Sequence, residues 1–127
     1  MTDASQADGA ELPTTDASAL ERLKRFGGDA LLGKMIDLFL TAAPERIAAV
    51  RQASAVGDRE SAERALHSLK SSSAQLGAMR LQQLSARGEQ QAHEGSMDGM
   101  TALSAELDDE LARVRQWLTN ALEGGAA

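Results

Sequence analysis

The sequence predicts an all-α protein, an antiparallel up-down-up-down four-helix bundle with a short additional N-terminal helix. Three observations point there. Ala, Leu, Glu, Gln and Arg dominate the 127 residues, and all favour helix. Aromatic residues number only three, Phe26, Phe39 and Trp117, and β-branched residues are few, so a sheet of any size is disfavoured. Apolar residues recur at spacings of three and four through most of the chain, the period of amphipathic helices.

Residues 1–15 are polar, acidic and aperiodic, and are expected to be disordered. Asp16 or Ser18 caps a short first helix through Phe26, and Gly27-Gly28 ends it. Asp29 caps the second, whose apolar stripe takes in Leu32, Met35, Ile36, Phe39, Leu40, Ala43, Ile47 and Val50. Pro44 falls inside that stripe and is expected to kink or split the helix, which closes at Val56-Gly57. Asp58 is the N-cap of the third, with Ala62, Leu66, Leu69, Ser73 and Leu76 inward and Gly77 as a structural stop. Leu81 and Leu84 carry a fourth helix to near Gly95. Ser96 or Asp98 starts the fifth, where Met100, Leu103, Leu107, Leu111, Val114, Leu118 and Leu122 form the longest stripe in the chain. The bundle is thus expected over residues 16–123, with a frayed tail at 124–127. Short connections make sequential helices antiparallel neighbours.

Composition narrows the function. There is no cysteine, and two histidines are too few for a structural zinc site. No apolar run reaches the roughly 20 residues of a membrane span, and the polar N-terminus lacks the apolar region of a signal peptide. A cytoplasmic protein without membrane insertion is expected. The net charge of −6 is uneven. Residues 1–20 carry four acids and no base, and residues 89–127 carry eight acids against Arg113 and Arg115. Residues 45–88 reverse the balance, with seven bases against four acids. An acidic chain with a basic middle argues against nucleic-acid binding and suits an anionic group or an acidic partner at that middle.

His67 lies in that basic middle. At about 100° per residue, Leu66, Leu69, Ser73, Leu76 and Ala62 fall on the side of the helix away from His67. Around it fall Glu63 (about −40°), Arg64 (about 60°), Lys70 (about −60°), Ser71 (about 40°) and Ala74 (about −20°). The imidazole therefore faces solvent between two cations and two small residues. A neutral imidazole is a nucleophile. Lys70, one turn on, is placed to stabilise a phosphoryl group on the ring, and Ser71 and Ala74 leave room for a partner. An exposed site of this kind has no base, oxyanion hole or closed pocket of a hydrolase, which suits a group carried rather than processed. His93, at a helix end beside Glu94, is read as a favourable charge at the negative end of the helix dipole.

The run Ala65-Leu66-His67-Ser68-Leu69-Lys70-Ser71-Ser72-Ser73-Ala74-Gln75-Leu76-Gly77-Ala78 resembles the signature of the histidine phosphotransfer (HPt) domain. Phe39 with Pro44-Glu45-Arg46, the Gly57-Asp58 turn, and Leu81, Leu84 and Glu89 extend the resemblance over about residues 20–120. Ser71 stands where the family commonly has glycine. The resemblance implies a phosphorelay intermediate without a kinase site of its own. His67 would accept a phosphoryl group from a receiver-domain phospho-aspartate and pass it to another receiver aspartate, with Lys70 stabilising it. Arg64, Ser68, Ser71 and Ala74 would bind the partner. No cofactor of its own is implied, since Mg²⁺ belongs to the receiver. The implied partners are response-regulator receiver domains, including that of a hybrid sensor kinase, and a monomer is expected. Two other readings are a sensor-kinase phosphoacceptor helix pair and a helical docking module with His67 incidental. The first calls for an acidic residue after the histidine, where this chain has Ser68.

Overall fold

A computed structural model describes residues 14–124. Among the described residues the chain forms four helices and no strand: α1 (Ala17–Val56), α2 (Arg59–Leu76), α3 (Met79–His93) and α4 (Met100–Gly124). Of residues 1–15, where disorder is expected, 1–13 lie outside the described residues, as do residues 125–127 of the expected frayed tail.

The first two expected helices meet at a kink within Ala17–Val56. The run Ala17–Val56 is interrupted only at Gly28 (φ 73°, ψ −170°), a conformation closed to residues with a Cβ. Asp16, rather than Ser18, is the cap, accepting from Ser18 N (3.0 Å) and Oγ (2.7 Å). Asp29 pairs with Lys24 across the break at 3.5 Å. Pro44 does not split the helix, because the dihedrals stay helical through it. Its ring costs one hydrogen bond, to the Leu40 carbonyl, and the buried stripe of Phe39, Ala43 and Ile47 on either side holds the turn together.

Asp58 caps α2 as expected, accepting from Ser61 N (3.1 Å) and Oγ (2.6 Å). Leu66, Leu69 and Leu76 of α2 pack with Ile36 and Ile47 of α1, Leu81 of α3, and Leu107 and Leu118 of α4 in one core. Each such side chain contributes roughly 1.5–3 kcal/mol by leaving water. The helices pack as a ring, α1 on α2, α2 on α3, α3 on α4 and α4 back on α1. Leu122, at the end of its stripe, is 40% exposed because the neighbouring helices do not cover it.

The α2–α3 turn fixes the height of the site. Gly77 (φ 77°) closes α2, with Gly77 N donating to Ala74 O (3.2 Å) and Ala78 N to Ser73 O (2.9 Å). The lead-in segment is stitched to this turn, since Asp16 N donates to Gly77 O (2.8 Å) and Arg80 N to Thr14 O (3.2 Å). A Cβ on residue 77 would stand 2.3 Å from Asp16 O. Gly77→Ala is therefore expected to destabilise the fold by roughly 3 kcal/mol, from left-handed strain plus the clash. A chemical-denaturation midpoint close to wild type would contradict this.

Glu110 of α4 is an anomaly in the core, 2% exposed, with no hydrogen bond to Oε2 among the described residues. Arg113 Nε and Arg80 Nε lie 3.7 and 3.8 Å from Oε1. Desolvation outweighs both guanidinium groups and holds the carboxyl above the usual glutamate range. A raised pKa in the fold favours the native state below the ordinary value, and that advantage is lost as pH rises through the folded value. Glu110→Gln is thus expected to stabilise the fold at pH 7 by roughly 1 kcal/mol, seen as a higher thermal midpoint. The gain should shrink at acid pH, where the wild-type carboxyl takes up its proton. A loss of stability at pH 7 would contradict this.

Candidate functional site

The tight turn at Gly77-Ala78 lets residues at similar distances from it face each other across α2 and α3. His67 is ten residues before Gly77 and Glu89 eleven after Ala78. They meet, with His67 Nδ1 2.8 Å from Glu89 Oε2. The other oxygen, Oε1, takes Lys70 Nζ at 2.6 Å. One carboxylate thus holds both the imidazole and the nearest cation. Four residues further out the pair repeats with its partners exchanged, as His93 Nδ1 lies 3.0 Å from Glu63 Oε2.

Burial grades these groups. The His67 side chain is 61% exposed, as helix geometry requires, while Glu89 is 18% exposed. Burial pushes the Glu89 carboxyl up, but hydrogen bonds from Lys70 and His67, with their charges, prevail and hold it below the usual glutamate range. Glu89 is therefore an acceptor, so the neutral ring carries its proton on Nδ1. That tautomer leaves the ring's lone pair on Nε2, the nitrogen not engaged by Glu89.

A cleft of about 580 Å³ opens beside the ring, lined by Glu60, Glu63, Arg64, His67, Ser68 and Glu89. Arg64 is exposed and donates to Ser61 Oγ at 3.2 Å. Ser68 is half-buried, and Ser71 and Ala74 are exposed further along α2. Ser73, within the serine run, is fully buried. Among the described residues no group of three or more His, Asp or Glu is arranged to hold a metal ion.

The sequence reading places His67, Lys70, Arg64, Ser68, Ser71 and Ala74 on one helix, which is where they stand. Lys70 differs in one respect: its ammonium is engaged by Glu89. Glu89 is the functional residue that sequence reasoning passed over, counting it only as part of the resemblance. The missing signal was arithmetic, since once the turn is set at Gly77-Ala78, residue 89 is the position opposite residue 67.

A sequence model described as the Hpt domain matches residues 34–117. No curated protein matches the chain in sequence. Among solved structures, the chain is similar to histidine-containing phosphotransfer protein B (HptB) from Pseudomonas aeruginosa PAO1, at 25% identity and a TM-score of 0.82, covering 87% of this chain and 96% of that one. With two thirds of its length inside the family match, and an exposed histidine on the second helix of a bundle, this chain belongs to the histidine phosphotransfer (Hpt) domain family.

Proposed function

We propose that the chain is a phosphorelay intermediate that takes a phosphoryl group from a receiver-domain phospho-aspartate onto Nε2 of His67 and returns it to another receiver aspartate. The observation that carries this reading is the Glu89 carboxylate shared between His67 Nδ1 and Lys70 Nζ. In the forward step the Nε2 lone pair attacks phosphorus, an N–P bond forms and the P–O bond to the aspartyl oxygen breaks. The aspartate leaves as carboxylate. The ring becomes cationic and keeps its Nδ1 proton against Glu89, which stabilises that charge. The incoming phosphoryl group competes with Glu89 for Lys70, so Lys70 stabilises it.

The chain acts as a carrier without a kinase site, and its partner brings the acidic pocket and Mg²⁺. Arg64, Ser68, Ser71 and Ala74 form the near rim of the docking face. The donor receiver is that of a hybrid sensor kinase, and the carrier is a cytoplasmic monomer. An up-down-up-down order is supported by connections of two, two and six residues between helices and by the His67–Glu89 and Glu63–His93 pairs. The stretch before Gly28 serves as the additional short helix.

Incubation with receiver domains phosphorylated on aspartate tests the reading. The expected result is rapid transfer of an acid-labile, base-stable label to this chain. No label from any of a broad panel of receivers would overturn it.

A further inference from the structure

Phe26 is 89% exposed and Leu38 is 56% exposed, and both border one surface. A groove of about 350 Å³ is lined by Ala19, Arg22, Leu23, Phe26, Met35 and Gln75. Met35 and Gln75 recur in an adjoining groove of about 210 Å³ that also holds Leu38, Phe39, Arg46 and Ser68. Ser68 in turn borders the cleft beside His67. Adjoining grooves thus run from Phe26 to the phosphoacceptor, apolar between Phe26 and Leu38 and polar from Ser68 onward.

The stretch that bears Phe26 is held at its base and free at its tip. Ala19 and Leu20 are buried, and Asp16 is bonded to the α2–α3 turn. Beyond them Phe26 projects, two residues before the break at Gly28, with the Lys24–Asp29 pair spanning that break. The family match begins at residue 34, so this stretch precedes the segment by which the family is recognised.

We propose that residues 17–27 are a partner-selecting arm, with Phe26 the outer anchor for the receiver domain that exchanges its phosphoryl group with His67. This rests on the phosphorelay reading above. A partner that brings phosphorus to Nε2 must sit on this face. An ordinary interface hides about 800 Å² per partner, a disc of roughly 16 Å radius. Ser68 and Gln75 are seven residues apart on α2, roughly 10 Å, so a footprint centred on His67 covers the adjoining grooves and brings the partner's edge toward Phe26. The rim cation Arg46 and, farther out, Arg22 suit a partner whose surface is acidic. An exposed aromatic beside an apolar groove is the kind of side chain on which binding energy concentrates.

The test measures transfer from a panel of receiver domains, each loaded with acetyl phosphate, to wild type, Phe26→Ser and Phe26→Leu. Phosphoramidate, a small donor that needs no docking, supplies the control. Phe26→Ser is expected to lower kcat/KM roughly tenfold or more for the receivers that serve wild type best. Phe26→Leu should keep most of the rate, and labelling by phosphoramidate and the thermal midpoint should not move. Equal kcat/KM for Phe26→Ser and wild type with every receiver would overturn the arm and leave the phosphorelay reading standing. A wild-type dimer that Phe26→Ser converts to monomer would also overturn it, making a second copy the occupant. No transfer to wild type from any receiver would overturn the phosphorelay reading and the arm together.

Discussion

Replacing His67 by glutamine is expected to abolish phosphoryl transfer from receiver domains while leaving the bundle intact. The side chain is 61% exposed and contributes no packing to the core. Surface replacements of this kind shift stability by about 0.5 kcal/mol or less. The glutamine amide can still donate to the Glu89 carboxylate, so the α2–α3 contact survives, but it offers no nucleophilic lone pair. Transfer assays with labelled receivers, run beside thermal melts, check both halves. Undiminished transfer to a folded His67→Gln protein would return His67 to the status of an incidental surface histidine.

The second large effect is expected at Glu89. Glu89→Gln keeps an oxygen for the Nδ1 proton but removes the charge that stabilises the cationic ring and fixes the proton on Nδ1. Hydrogen bonds to charged groups contribute roughly 1.5–3 kcal/mol, so transfer is expected to slow by about ten- to a hundredfold. The ¹⁵N shifts of His67 should move from one dominant tautomer toward a mixture, a change that a merely structural role for Glu89 would not produce. The same substitution alters the acid limb of stability. A carboxyl held below its ordinary range in the fold adds stability above the ordinary glutamate value, and that contribution is lost as pH falls through the folded value. Wild type should therefore lose stability in acid more steeply than Glu89→Gln. Parallel acid profiles, or a transfer rate equal to wild type, would contradict the role given to Glu89.

Much of this was legible in the sequence because it depends on local rules. The stripe from Leu32 to Val50 became buried wall, with Met35 and Leu40 only half-covered at its edges. Asp58 and Gly77 closed their helices as their chemistry requires. The outward direction of His67 followed from 100° per residue. What was not legible depends on contacts between elements. Pro44 stays inside one helix because the packed residues around it outweigh one missing hydrogen bond. Glu110 sits on the buried side of α4 beside Leu107 and Leu111, where a carboxylate is not expected from the apolar pattern. Glu89 acquires its role only when α3 is laid against α2.

In the proposed relay, Nε2 of His67 is the atom that carries the phosphoryl group. Proton–nitrogen–phosphorus correlation spectra of the protein, recorded after transfer from a phosphorylated receiver, test it most directly. The account predicts a single phosphorus coupled to the ring of His67 through Nε2, with the Nδ1 proton retained. Phosphorus on Nδ1, on His93 or on a serine of the Ser71–Ser73 run would contradict it.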